Sequence, residues 1–296
     1  MATLSPVSAT TDQSRQHMTL ARRSIVAFFG LAYLWTWGLI GIAVLGVTAG
    51  ALAEDGPAVA LLAGAAPFGP AAAALLVAAR AEGRAGVRRL LGGLDPRRTS
   101  LRWYTGALFG PPLGVLLGAT LVYGTAPLAA LADQWPILVT RYLPYTLTVA
   151  LLGTGFAEEL GWRGLAQPRL QQCYGPLGAS LALGGLAALW HLPNALLGPG
   201  GLAGFALQAL YTVAVALLFT WAFNRTGGSV LIVALLHAAL NTSGRLLSAL
   251  VPVDDIAQFQ QTVVWIGVVV VSLAGALLVW GTRGRLGLTH DDVRDA

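Results

Sequence analysis

The chain has 296 residues, 56% of them hydrophobic and 10% charged, with a mean hydropathy of +0.69, a composition that excludes a soluble globular domain and points to a polytopic membrane protein. Its net charge of +5 arises from 18 basic residues, all Arg, against 13 acids; the arginines gather in short loops beside apolar stretches, as topology signals do, so no nucleic-acid partner is expected. Cys173 is the sole cysteine, which excludes an internal disulfide and a structural cysteine-based metal cluster.

Residues 1–24 are polar and rich in Ser and Thr, without the early apolar core or cleavage site of a signal peptide, and read as an N-terminal tail. Eight apolar stretches follow, near 25–47, 57–79, 103–124, 143–163, 176–197, 204–223, 229–251 and 262–280. Each approaches the roughly 20 residues needed to cross a hydrocarbon core about 30 Å thick. The fold class is therefore all-α, with a transmembrane domain over 25–280 and a polar second tail over 281–296. Within the third stretch Gly110-Pro-Pro112 predicts a kink, and Pro193 predicts a bend just after His191.

Arg15, Arg22 and Arg23 precede the first span, and Arg80, Arg84, Arg88, Arg89, Arg97, Arg98 and Arg102 fill the second loop. Glu54 and Asp55, and later Asp254 and Asp255, occupy loops on the other side. This asymmetry predicts an integral protein of a bacterial cytoplasmic membrane with both termini inside. Leu90, Leu91 and Leu94 interrupt the Arg-rich stretch, which reads as a topology loop or as a short helix lying on the anionic inner leaflet.

Polar residues inside the spans concentrate in the fourth (Glu158, Glu159, Arg163), the fifth (Trp190, His191, Asn194) and the seventh (His237, Asn241, Arg245). An ionised side chain at mid-membrane costs roughly 3 kcal/mol on insertion scales, so these groups are expected to be paired or used. On a helix Glu159 and Arg163 share a face and form a charge-assisted pair, while Glu158 is turned about 100° away and lacks a partner in its own helix. His237 and Asn241 are also four apart and aim two hydrogen-bonding groups at one point. At about 1.5 Å per residue, Glu158 lies roughly 20 Å from Pro144 and His237 roughly 12 Å from Ser229, depths that nearly meet. His191, roughly 22 Å from Pro176, sits off that level unless the fifth span starts nearer Leu181 or tilts.

Three chemistries can use this set. Glu158, His191 and His237 have the count of a catalytic zinc or other divalent-metal centre. Without a metal, Glu158 can take a proton from water while His237 and Asn241 stabilise an oxyanion. As a relay, the same groups can couple transport to a proton gradient.

The run Glu158-Glu159-Leu-Gly-Trp-Arg163 resembles the EExxxR signature of the CaaX protease and bacteriocin-processing family of intramembrane proteases, and His237-Ala-Ala-Leu-Asn241 resembles its HxxxN motif. Ala187-Ala-Leu-Trp-His191 stands where that family carries FxxxH, with Ala187 in place of the aromatic. The resemblance implies a type II CaaX-protease-like helical core over about 143–251. It further implies a water activated by Glu158 and His191, an oxyanion hole of His237 and Asn241, and Glu159 with Arg163 holding span four in place. The metal-free mechanism is the one preferred. The expected partners are the lipid bilayer and a membrane-associated or lipidated peptide substrate. The competing expectations are a non-catalytic immunity or scaffold protein and a proton-coupled transporter.

Overall fold

The computed structural model describes residues 6–198, 200–251 and 256–288. Asp254, Asp255 and the chain after residue 288 lie outside them, so their expected places in an outer loop and a second tail find no counterpart here. The described residues form twelve α-helices and no strand: α1 (Pro6–Thr48), α2 (Pro57–Ala65), α3 (Gly69–Gly92), α4 (Leu101–Tyr123), α5 (Ala126–Asp133), α6 (Leu143–Leu152), α7 (Thr154–Gly161), α8 (Gln167–Trp190), α9 (Leu192–Leu197), α10 (Gly201–Arg225), α11 (Val230–Leu250) and α12 (Ile256–Thr282). Wider π-helical turns, Leu138–Tyr142 and Trp162–Ala166, lead into α6 and α8. The protein is an all-α polytopic membrane protein.

Among the described residues seven helices are long and apolar enough to cross a membrane, against eight expected. The difference lies in the fourth and fifth spans, which fall in one helical run, Thr154–Trp190. That run turns back on itself at Gly175, where φ is 66° and ψ 177°, a conformation that a Cβ would strain. Trp162 and Trp190 consequently meet edge to face with ring centroids 5.7 Å apart. Along a straight helix they would be separated by about 42 Å. The descending leg also reaches past residue 163, the expected end of span four, down to the turn. Before it, Leu138–Leu152 is too short to count as a span and is set off by Gly153, whose φ of −122° and ψ of −146° break the helix. At the other end α8 stops at Trp190, and α9 starts afresh because Pro193 has no N–H with which to continue the ladder. Pro111 and Pro112, by contrast, lie inside a continuous α4. α1 begins at Pro6, inside the stretch expected as a polar tail.

The Arg-rich stretch between the second and third spans is largely exposed and is tied down through a few residues. Gly83 reverses the chain with φ 61°, Glu82 bonds both Arg89 and Arg169, and Leu90 is buried while Leu91 is exposed. The carbonyl of Gly93 then accepts from the backbone N–H groups of Val230 (2.8 Å) and Leu231 (3.2 Å), and the Ser229 hydroxyl accepts from Ile232 N at 3.3 Å. These bonds satisfy three of the donors that a helix start leaves open and so fix the foot of α11.

Around this frame Phe28, Phe29, Trp162 and Trp190 form an aromatic core that joins α1 to both legs of the reversed run. Two glycines let backbones approach closely. A Cβ at Gly155 would stand 2.7 Å from the carbonyl oxygen of Ala234 on α11, and one at Gly161 would stand 2.6 Å from that of Pro70 on α3. Gly161→Ala is therefore expected to push α7 away from α3 and lower unfolding stability by about 1–3 kcal/mol, as overpacking does. Thermal denaturation in detergent would read it, against Gly204→Ala, where a Cβ meets open space.

Candidate active site

α7 is short, and its two adjacent carboxylates leave the helix in different directions, as the 100° rotation per residue demands. Glu159 turns back into the protein and is 1% exposed. One oxygen, Oε2, stands 3.0 Å from Arg163 NH1, which reaches back from the π-helical turn. The other, Oε1, stands 2.7 Å from Nδ1 of His237 on α11. One carboxylate thus ties α7, the turn that follows it and α11 together. Phe219 of α10 closes this group from the side: the Arg163 guanidinium carbon lies 4.9 Å from its ring centre, and the His237 ring lies 5.7 Å from it.

Glu158 points the other way, into a cavity of about 180 Å³ that His191, His237 and Asn241 also line. Asn241 is steadied by donating from Nδ2 to the Thr154 hydroxyl at 3.1 Å, at the first turn of α7, which leaves its second N–H free for the cavity. His191 sits at the joint between α8 and α9, its ring edge-on to that of Trp190 at 4.7 Å. The Trp190 carbonyl accepts from the Trp37 indole at 3.0 Å, which anchors that joint to α1. Since Glu159 occupies Nδ1, Nε2 is the nitrogen His237 can offer to the cavity. With Glu159 accepting from Nδ1–H, Nε2 carries a proton only in the imidazolium form of His237.

All six residues singled out from the sequence meet at this cavity: Glu158, Glu159, Arg163, His191, His237 and Asn241. His191 stands level with the rest because both legs are measured from Gly175. Trp162 lies 13 residues before it and Trp190 15 residues after it, and their rings touch. Ala187 lines the cavity as well, whereas Trp190 does not turn in to replace the missing aromatic but packs in the core. Asn194 and Arg245 lie elsewhere. The Arg245 guanidinium stacks on Tyr145 at 4.8 Å. Sequence reasoning missed two things. It treated Glu159 as the partner of Arg163 alone, and it passed over α10, whose Gln208, Tyr211, Thr212 and Phe219 form one wall. Their spacing of three and four residues was the available signal.

Among the described residues no three His, Cys, Asp or Glu side chains are grouped so that they could hold a metal ion. Glu158, His191 and His237 share the cavity without forming such a group, and His237 Nδ1 is committed to Glu159.

Every one of the six residues falls within 140–243, the stretch that matches the family model described as type II CAAX prenyl endopeptidase Rce1-like. The chain is similar to that family over this stretch, which runs from the turn before α6 to the middle of α11. No curated protein matches the chain.

The ion pair at the centre of the matched stretch is buried on both sides. Arg163→Leu, which strands the Glu159 charge, is expected to cost about 3–5 kcal/mol, and the double change Glu159→Leu with Arg163→Leu appreciably less. Thermal unfolding of the two variants in one detergent checks this; a double variant as unstable as the single would refute it.

Proposed function

We propose that the protein is an intramembrane endopeptidase that hydrolyses a peptide bond of a membrane-associated or lipidated peptide, using side chains alone. The observation that carries this reading is the convergence of Glu158, His191, His237 and Asn241 on one cavity inside a domain of the type II CAAX endopeptidase kind. Glu158, assisted by His191, takes a proton from a water molecule as its oxygen attacks the scissile carbonyl. Negative charge gathers on the carbonyl oxygen, where His237 Nε2–H and the free N–H of Asn241 receive it. When the C–N bond breaks, Glu158 returns the proton to the leaving amine, so that one water is consumed and two peptide termini are made. Glu159 and Arg163 hold His237 in register and touch no reacting atom.

A second cavity supports the choice of substrate. Between α4, α10, α11 and α12 lies a chamber of about 710 Å³, and it shares Gln208, Tyr211, Leu240 and Asn241 with the catalytic cavity. Gly106, Gly110 and Gly114 on α4 and Gly267 on α12 leave it wide, and its other walls are mostly aliphatic. It has the size and character of a site for one long apolar chain. That chain would be carried by the peptide whose backbone enters the smaller cavity. The Arg-rich second loop supports an orientation with this end of the molecule at the cytoplasmic face of a bacterial membrane.

Reconstituted protein is expected to create new peptide termini in host membranes, detected by mass spectrometry, while Glu158→Gln creates none above background. Asn241→Ala should retain binding and lose about 10²–10³-fold in kcat, the cost of one oxyanion donor. Cleavage should withstand a chelator. If wild type and Glu158→Gln release the same peptides, the proteolytic reading fails.

A Cβ at Gly106 meets open space, so Gly106→Phe fills the chamber without touching the backbone. It should raise KM for a lipidated peptide while leaving hydrolysis of a short unlipidated one unchanged. Equal effects on both peptides would separate the chamber from substrate recognition.

A further inference from the structure

The wall shared by the two cavities contains polar groups with no part in the mechanism above. Gln208 and Tyr211 are three residues apart on α10 and line both spaces, opposite Leu240 and Asn241 of α11. Anything that lies partly in the chamber and partly in the catalytic cavity must pass between them.

Their hydrogen-bonding state is set by a neighbour. The Thr212 hydroxyl gives its only proton to the backbone carbonyl of Gln208, at 2.8 Å. It can then only accept from the Gln208 side chain, which places the amide nitrogen against it, at 3.2 Å. The carboxamide is thereby oriented: Nε2 is held by Thr212, and Oε1 has no partner among the described residues. The Tyr211 hydroxyl also has none, and its ring faces α12, where a Cβ at Gly267 would stand 3.7 Å from it. One oriented acceptor and one free hydroxyl donor thus stand a single helical turn apart in a passage whose walls are otherwise mostly apolar. An extended peptide offers the complement, an N–H and a C=O on its backbone.

We infer that Gln208 and Tyr211 form a backbone clamp for the peptide as it crosses from the chamber to the catalytic cavity: Gln208 Oε1 accepts from a substrate N–H, and the Tyr211 hydroxyl donates to a substrate C=O. The inference rests on the proteolytic reading for the identity of the ligand as a peptide, though not for its geometry. The clamp ignores side chains, so it sets the register of the bond at Glu158 and not the residue preference. Gln208 and Tyr211 are positioning residues, and Thr212 acts through Gln208.

The test separates binding from turnover. A dye-labelled hexapeptide carrying S-farnesylcysteine, and its S-palmitoyl counterpart, are titrated by fluorescence polarisation against the full chain in nanodiscs, on a Glu158→Gln background. Gln208→Leu and Tyr211→Phe are each expected to weaken binding roughly five- to tenfold, the worth of one neutral hydrogen bond. Thr212→Val, which keeps Gln208 but frees its amide, should weaken binding less, and it serves if Gln208→Leu does not fold. Methylating one backbone nitrogen of the peptide should impair binding to unsubstituted α10 and have no further effect on Gln208→Leu. With Glu158 restored, the α10 variants should raise KM and leave kcat within about twofold. Unchanged affinity in both Gln208→Leu and Tyr211→Phe, or the same loss with every methylated peptide, overturns the clamp. Clamp-dependent binding without cleavage by the Glu158 protein supports the clamp and sinks the proteolytic reading. Absence of saturable binding of either peptide overturns both.

Discussion

The carboxylate of Glu159, 1% exposed, serves two partners with its two oxygens, Arg163 at 3.0 Å and His237 Nδ1 at 2.7 Å. Such a group is costly to bury, and the cost is offset only while both partners are present. The geometry of the cavity follows. Holding Nδ1 turns Nε2 of His237 to the cavity side, drawing back Arg163 keeps the guanidinium against Phe219, and using Glu159 for this task leaves Glu158 to the cavity one residue earlier. The adjacent glutamates are thus not duplicates. A single helical step of 100° assigns one to the protein and the other to the cavity.

That arrangement requires three backbone segments to lie at one level, and glycine makes it possible. Gly175 reverses the run so that His191 returns to the height of Glu158, and Gly155 lets α7 touch the carbonyl of Ala234 on α11, one turn from His237. Gly93 supplies the carbonyl that seats the foot of α11 against the loop after α3. The polar residues could be conserved in type and still fail if any of these approaches were blocked. Their positions are set by packing, and their chemistry depends on positions held to within a fraction of an ångström.

The helical, membrane-spanning character was legible from composition and the length of the apolar runs, because both follow from the thickness of a bilayer. The cluster of Glu158, Glu159, Arg163, His191, His237 and Asn241 was legible for a related reason: polar groups are rare in such spans, and each stands out. The bounds of the spans were not. The fourth leg runs on to the reversal at Gly175 and does not stop at 163, and the break at Gly153 detaches the shorter helix that precedes it. The bond from Glu159 to His237 was equally hidden, since helical spacing reports only neighbours on the same helix and these two are 78 residues apart. Gln208 and Tyr211 escaped notice because an amide and a phenol in an apolar helix carry no charge and raise no alarm.

The division between the two cavities has a physical basis in what each kind of wall can do. Apolar contact is non-directional, so the chamber behind α4 can supply affinity for a chain but cannot fix which atom arrives at Glu158. Hydrogen bonds are directional, and a peptide has two of them to offer at nearly every residue. With the interior of the passage lined by glycine and aliphatic groups, the direction must come from the few polar atoms at its rim, on α10 and at Asn241. Ala187 lines the smaller cavity together with His191 and adds no polar atom there. In the proposed reading, affinity, register and chemistry reside on different helices, so the apolar chamber can change with the substrate while the carboxylate network that sets His237 stays as it is.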